Sequence, residues 1–424
     1  MAIPPEIVEG LLILPIAGIA LSFCIEQLLR PRPQWRARRW SGYLIHVGAW
    51  LLLYGVGLAV WQRPYFASGL NLAGLLLIVF VSNAKFASLR EPFLLSDFRF
   101  FKALLQHPRL YLPFFGRLPA VAAALVFVGF CVFALRLEPS VPSLWGSHAF
   151  VLSCGACVVG GGVLIWLGAI DSAPITLDPH ADVQAFGLIG SFVRYWQEER
   201  ANDPGTLATN LPTPLPGAAN GPAATPQPHI VAVQCESFFD ARRVYAGINP
   251  AVFTQFDALG SAAAWSGRLN VPAWGANTVR TEFSFLSGIA PAALGVHQFN
   301  PYRKLARSGV PTIASVLKQR GYRTICVHPF AATFYDRDVV FPKLGFDDFI
   351  DISVFADADK SGPYVGDAAV ANKVRSLLDA AAEPLFIFVI TMENHGPLHE
   401  EKVAEGDIGR LYATPPPAGY DEFT

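Results

Sequence analysis

Five long apolar runs crowd into the first 172 residues of this 424-residue chain and leave little there from which a soluble core could be built. They fall at roughly 8–29, 41–61, 66–84, 118–137 and 147–170. Each is about 19–24 residues long, and a helix rising 1.5 Å per residue needs about 20 to cross the hydrocarbon of a bilayer. Gly, Trp and Tyr recur within them and at their ends, as in membrane helices and their interfacial anchors. The first run has no basic leader and no small-residue cleavage site, so it reads as a retained helix rather than a signal peptide. Charged residues are only 15% of the chain and mean hydropathy is +0.37, whereas a soluble protein carries about a quarter charged residues. The deficit is confined to this half. A net charge of -1, with basic residues in loops rather than in a stripe, excludes a nucleic-acid partner.

Orientation gives conflicting signals. The loop Arg30–Arg39 contains Arg30, Arg32, Arg36, Arg38 and Arg39, and such a loop belongs on the cytoplasmic side. Four further crossings would then leave the C-terminal half in the cytoplasm, whereas a sixth crossing or one fewer would put it outside. The aromatic-rich stretch 91–117, with Arg99, Lys102 and Arg109 interspersed, reads as an interfacial amphipathic helix. The six cysteines are too scattered for a disulfide framework. Cys154 and Cys157 have redox spacing but lie in a run of Val, Gly and Leu, where they read as small helix residues. Cys235 and Cys326 read as strand-core residues.

After the last run come a polar, partly helical stretch (178–201) and a Pro/Ala/Gly/Thr-rich linker with almost no bulky apolar residue. The expected organisation is a transmembrane domain over 1–177, a juxtamembrane helix and linker over 178–228, and a second domain over 229–424. That domain alternates strands and helices. His229–Asp240 opens with an apolar run ending in Glu236-Ser237, which reads as a buried strand. Helices are expected over 250–260, 312–320 and 368–382, with strands over 323–328 and 385–390. This alternation predicts an α/β sandwich. Three strands end in polar clusters (Glu236-Ser237, His328, Glu393-Asn394-His395), at the edge where open α/β sheets place their sites. A Gly-led turn adds Thr278. Carboxylate, hydroxyl and imidazoles at one edge suit a divalent metal that polarises a phosphoryl or sulfuryl oxygen.

In sequence order these motifs are Glu-Ser-Phe, Asn-Thr-x-x-x-Glu-Phe, a strand His, Phe334-Tyr-Asp-Arg-Asp338 and Asn394-His-Gly-Pro397. Together they resemble the lipoteichoic acid synthase-like phosphoglycerol transferases of the alkaline phosphatase/sulfatase superfamily. The resemblance covers about 229–424, and the multi-span N-terminal half fits the same architecture. Even Asn83-Ala-Lys85, Arg90-Glu-Pro92 and Asp97 look like that family's membrane part.

The resemblance implies a helical membrane domain joined to an alkaline phosphatase-like α/β domain in a bacterial inner (cell) membrane, with the α/β domain on the periplasmic or extracellular side. It implies a phosphoglycerol transfer from phosphatidylglycerol to a periplasmic or surface glycan. Thr278 would be nucleophile and metal ligand, Glu236 a metal-binding carboxylate, and Mn²⁺ the divalent metal. Arg337, His328, His395 and Tyr335 would bind the transferred group. The family completes its metal site with a Gly-Asp-His segment that does not occur in this sequence. Truncation of a longer protein is therefore expected, since a chain naturally ending at Thr424 would leave the metal underliganded. Phosphoethanolamine transfer keeps the same nucleophile and stays open. Sulfate ester hydrolysis fits less well, because no Cys/Ser-x-Pro-x-Arg pattern surrounds Thr278. A non-enzymatic headgroup-binding sensor or scaffold is the third reading.

Overall fold

The computed structural model describes residues 8–99, 101, 117–212, 214, 227–275, 277–396 and 406–414. The chain divides into two compact units, with the main break between Asp203 and Pro204.

Unit one is helical. Its main helices are α1 (Leu14–Glu26), continued from a π-helical turn at Glu9–Ile13, α2 (Trp40–Trp61), α3 (Pro64–Leu89), α4 (Arg117–Leu137), α5 (Ser147–Ala169) and α6 (Pro179–Ala201). Five spans among the described residues are long and apolar enough to cross a membrane, matching the expected runs. Small residues let α2 and α5 close on each other. A Cβ on Gly48 would stand 2.6 Å from the Gly161 carbonyl oxygen, and one on Gly161 would stand 2.5 Å from that of Gly48. Backbones this close are how membrane helices pack where the solvent is itself apolar. Residues 91–94 have no regular secondary structure and Leu95–Arg99 form a 3₁₀ turn, not the amphipathic helix expected across 91–117. Lys85 holds this segment instead, pairing with Glu91 at 2.9 Å and Asp97 at 2.5 Å. Most of the rest of that stretch lies outside the described residues.

Two arginines of the basic loop are taken up internally. Arg38 pairs with Glu26, both buried, and Arg39 pairs with Asp171 at 3.0 Å. Glu26 also accepts from the Leu188 amide at 2.7 Å. That contact needs α6 to break at Gly187 (φ 73°), where a Cβ would sit 2.3 Å from the Arg38 guanidinium. A positive φ and a flush approach together leave room only for glycine.

Unit two is built on a four-stranded parallel sheet of order β1-β6-β2-β3, from β1 (Ile230–Gln234), β2 (Arg323–Val327), β3 (Asp348–Ile350) and β6 (Leu385–Ile390). A two-residue hairpin, β4 (Lys360–Ser361) and β5 (Tyr364–Val365), lies outside it. Strand β6 is central and wholly buried. Its Phe386, Phe388 and Ile390 join one core with Phe283, Leu286, Leu317 and Phe341. The alternate residues Leu385, Ile387 and Val389 join a second core with Val370 and Leu377. The period-two alternation of a strand thus feeds two helical layers: α8 (Thr278–Ser287), α9 (Ile313–Gln319) and α10 (Arg337–Lys343) on one side, α11 (Asp367–Asp379) on the other. Helix α7 (Thr254–Ala262) is exposed. Pro204–Asn210 forms a short helix, and Ala208 and Leu211 enter the first core.

Two expectations are corrected here. Among the described residues strand β1 stands at the edge of the sheet, with Val231 40% and Val233 54% exposed, rather than being a buried strand. Cys326 is core, but Cys235, just past β1, is exposed.

Candidate active site

The carboxyl ends of β1, β6 and β2 lie side by side because Gln234 pairs with Ile390 and Val327 with Val389. Parallel strands in this register deliver their following residues to one edge. The Glu236 amide donates to Thr391 Oγ1 at 3.0 Å, and Ser237 Oγ donates to the Glu236 carboxylate at 3.1 Å. His328 is buried, its amide donating to the Ile350 carbonyl at 2.9 Å. Its Nδ1 lies 3.1 Å from the Ile390 carbonyl. A carbonyl only accepts, so Nδ1 carries the proton and Nε2 presents a lone pair. Burial, then the Arg337 charge, hold the His328 pKa well below its ordinary value. His395 Nδ1 likewise meets the Gly396 carbonyl at 2.8 Å, with the Tyr364 ring 5.7 Å from its own. Glu393 accepts from the Asp367 amide at 2.6 Å, and burial, then Glu393, push the Asp367 carboxyl up.

Thr278 is the first residue of α8, half-buried, behind Asn277 in a left-handed conformation. One turn later on the same face comes Glu282, fully buried. Its carboxylate takes Arg337 Nη2 at 2.5 Å, Arg337 Nε at 3.2 Å and the Tyr302 hydroxyl at 2.9 Å. Arg337 is itself 2% exposed and sits 5.2 Å from the Tyr335 ring centroid. Burial pushes the Tyr335 hydroxyl up to about 12, with the charges of Arg337, Glu282 and Glu236 all acting on it. Tyr335 thus stands within electrostatic reach of both the Glu236 strand end and the Arg337 pair.

Backbone strain marks the same places. The described non-glycine residues of unit two with left-handed φ are Ser237 (51°), Asn277 (68°), Tyr335 (60°) and Asp336 (52°). They adjoin Glu236, Thr278 and Arg337. Such residues cost roughly 1–3 kcal/mol each and persist where surrounding structure enforces them. Glu282 and Tyr302 were not assigned roles from sequence. Glu282 was visible as the acid of the Thr-x-x-x-Glu-Phe motif, whereas nothing local signalled Tyr302.

Residues 228–411 match the sulfatase family. The second unit is a sulfatase-family domain. Beyond it, the chain is 26% identical over 365 residues to the capsular polysaccharide biosynthesis protein RkpI of Rhizobium meliloti, across 83% of this chain and 68% of that one. Two solved structures are also similar: the lipoteichoic acid synthase LtaP from Listeria monocytogenes and the Streptococcus pyogenes phosphoglycerol transferase GacH. The first has 20% identity and a TM-score of 0.35, over 45% of this chain and 50% of its own. The second has 21% identity and a TM-score of 0.34, over 51% and 53%.

The superfamily generally uses a divalent metal. Among the described residues of this sulfatase-family domain, no group of three or more His, Cys, Asp or Glu side chains is placed to hold one. Glu236 and Thr278 offer one carboxylate and one hydroxyl, short of the several oxygen or nitrogen ligands a hard divalent ion takes. The described residues alone do not fit the group.

Proposed function

We propose that this chain is a membrane-bound phosphotransferase that moves the phosphoglycerol group of phosphatidylglycerol to a periplasmic or surface glycan through a covalent Thr278 intermediate. The observation that carries the reading is that left-handed residues stand next in sequence to Glu236, Thr278 and Arg337, because backbone strain concentrates at functional sites. Five membrane-length helices support a lipid donor. The relative named for capsular polysaccharide biosynthesis supports a glycan acceptor. With a periplasmic acceptor the sulfatase-family domain lies outside the inner membrane.

Thr278 Oγ attacks the donor phosphorus. The Oγ–P bond forms, and the P–O bond to diacylglycerol breaks with its electron pair on the departing oxygen. The hydroxyl proton passes to an imidazole and on to that oxygen. His328 suits this relay, because its depressed pKa keeps Nε2 an acceptor; His395 is the second candidate. A glycan hydroxyl oxygen then attacks the phosphothreonine phosphorus, the Oγ–P bond breaks with its electron pair on Oγ, and the glycan hydroxyl proton returns through the imidazole to Oγ, restoring Thr278. Arg337 neutralises the phosphate, as a guanidinium does well, and Tyr335 flanks the glycerol.

A headgroup-binding protein without turnover is the second reading, favoured by the lack of a three-ligand group among the described residues. Vesicles of phosphatidylglycerol labelled in the headgroup separate the two. Release of diacylglycerol with label on the protein supports transfer; binding without release overturns it. Phosphatidylethanolamine vesicles test the alternative donor.

A further inference from the structure

We infer that Glu282 is a positioning residue, holding the Arg337 guanidinium in register with Thr278 so that donor phosphate meets arginine and hydroxyl together. The inference rests on the transfer reading above and adds a residue to it. Thr278 and Glu282 lie four apart on α8, so their backbone positions are tied by one rigid turn, about 6 Å of helix rise. That grip uses one side of the guanidinium fork, through Nε and Nη2. The Nη1 edge, whose contact with the Phe334 carbonyl is a long 3.5 Å, is the edge turned from Glu282. Tyr302 steadies the carboxylate by donating to Oε2, so three donors share its two oxygens and its orientation is fixed. Arg337 opens α10 directly after the left-handed pair Tyr335 and Asp336. Asp336 is in turn held by Arg307 at 2.8 Å. The guanidinium is thus clamped at both its head and its backbone. A buried charge so fully constrained has its direction determined by the fold rather than by its ligand.

A structural ion pair and a positioning pair differ in what a charge-conserving change does. Glu282→Asp keeps the charge, and with it the pair, but draws the guanidinium back by one methylene. In the full chain in phosphatidylglycerol nanodiscs, the expected result is a melting temperature within a few degrees of wild type. The donor KM rises, and kcat/KM per folded molecule falls at least roughly tenfold, the scale on which supporting partners act. Glycerol phosphate binding, read by calorimetry, weakens in parallel. Unchanged kcat/KM in folded Glu282→Asp overturns the inference. Should that variant fail to fold, Tyr302→Phe leaves the ion pair intact and is expected to raise KM severalfold with kcat little changed; an unmoved KM overturns the inference equally. The underlying reading fails separately, if Thr278→Ala still transfers or if the wild type binds glycerol phosphate without transferring. In the latter case the binding constant of Glu282→Asp still decides whether Glu282 positions the arginine. Wild-type protein that neither transfers nor binds overturns both.

Discussion

Among the described residues, both units contain a buried arginine–carboxylate pair, and the two pairs have different surroundings. In the helical unit Glu26 and Arg38 are enclosed by protein on every side the structure describes: the Leu188 amide, the Gly42 carbonyl and the bare face of Gly187. The pair joins α1, the start of α2 and the kink of α6. In the sulfatase-family unit Glu282 and Arg337 stand among strained residues and beside a half-buried threonine. The first pair is an assembly device. The second, in the proposed reading, holds a charge beside the nucleophile. Equal chemistry in equal burial teaches that a buried salt bridge says little about function until its surroundings are known.

The largest effect that would sharpen this contrast is at the proposed nucleophile. Thr278→Ala is expected to abolish headgroup transfer, by about a thousandfold or more, with no change in melting; the assay is diacylglycerol release. Next comes Arg38→Met, which strands the Glu26 carboxylate. It should lower stability by about 3–5 kcal/mol, read by denaturant titration in micelles, while the folded fraction keeps its donor KM. A changed KM there would break the distinction between the two pairs. Gly161→Val drives side-chain atoms into the α2 backbone and should cost roughly 1–3 kcal/mol, measured in the same titration, again without kinetic effect.

The smallest effect is on pH. His328 is held neutral by burial and Arg337. Below about pH 6.5 the unfolded chain binds a proton that the native state refuses, so stability falls with acidification by up to about 1.4 kcal/mol per pH unit. His328→Gln should flatten that slope in unfolding experiments run between pH 6.5 and 5. An unchanged slope would show that His328 is not the group responsible.

Much of the architecture is local and therefore legible. Apolar runs of membrane length name the five spans, since any such run must find an apolar surrounding. The strand at Leu385–Ile390 and the helices after Thr312 and Gly366 follow from continuous hydrophobicity and helical spacing. Strand β3 escaped because Asp348-Phe-Ile350 is three residues long and is a strand only through its pairing with β2. Helix α10 was hidden by Pro342 in its interior. Motif order singled out Glu236, Thr278, His328, Arg337 and His395 as candidates.

What the sequence determined by itself was composition along each segment: which stretches are long and apolar enough to cross a membrane, which become strands, and which polar groups end them. Only the tertiary structure decided that Glu282 meets Arg337 across 55 positions, that Arg38 faces Glu26 beneath Gly187, and that β1 lies at an edge. Local pattern fixes what a segment prefers, but a charge pair or an edge exists only between segments. Its partner is chosen by the packing of the whole fold, which no window of sequence contains.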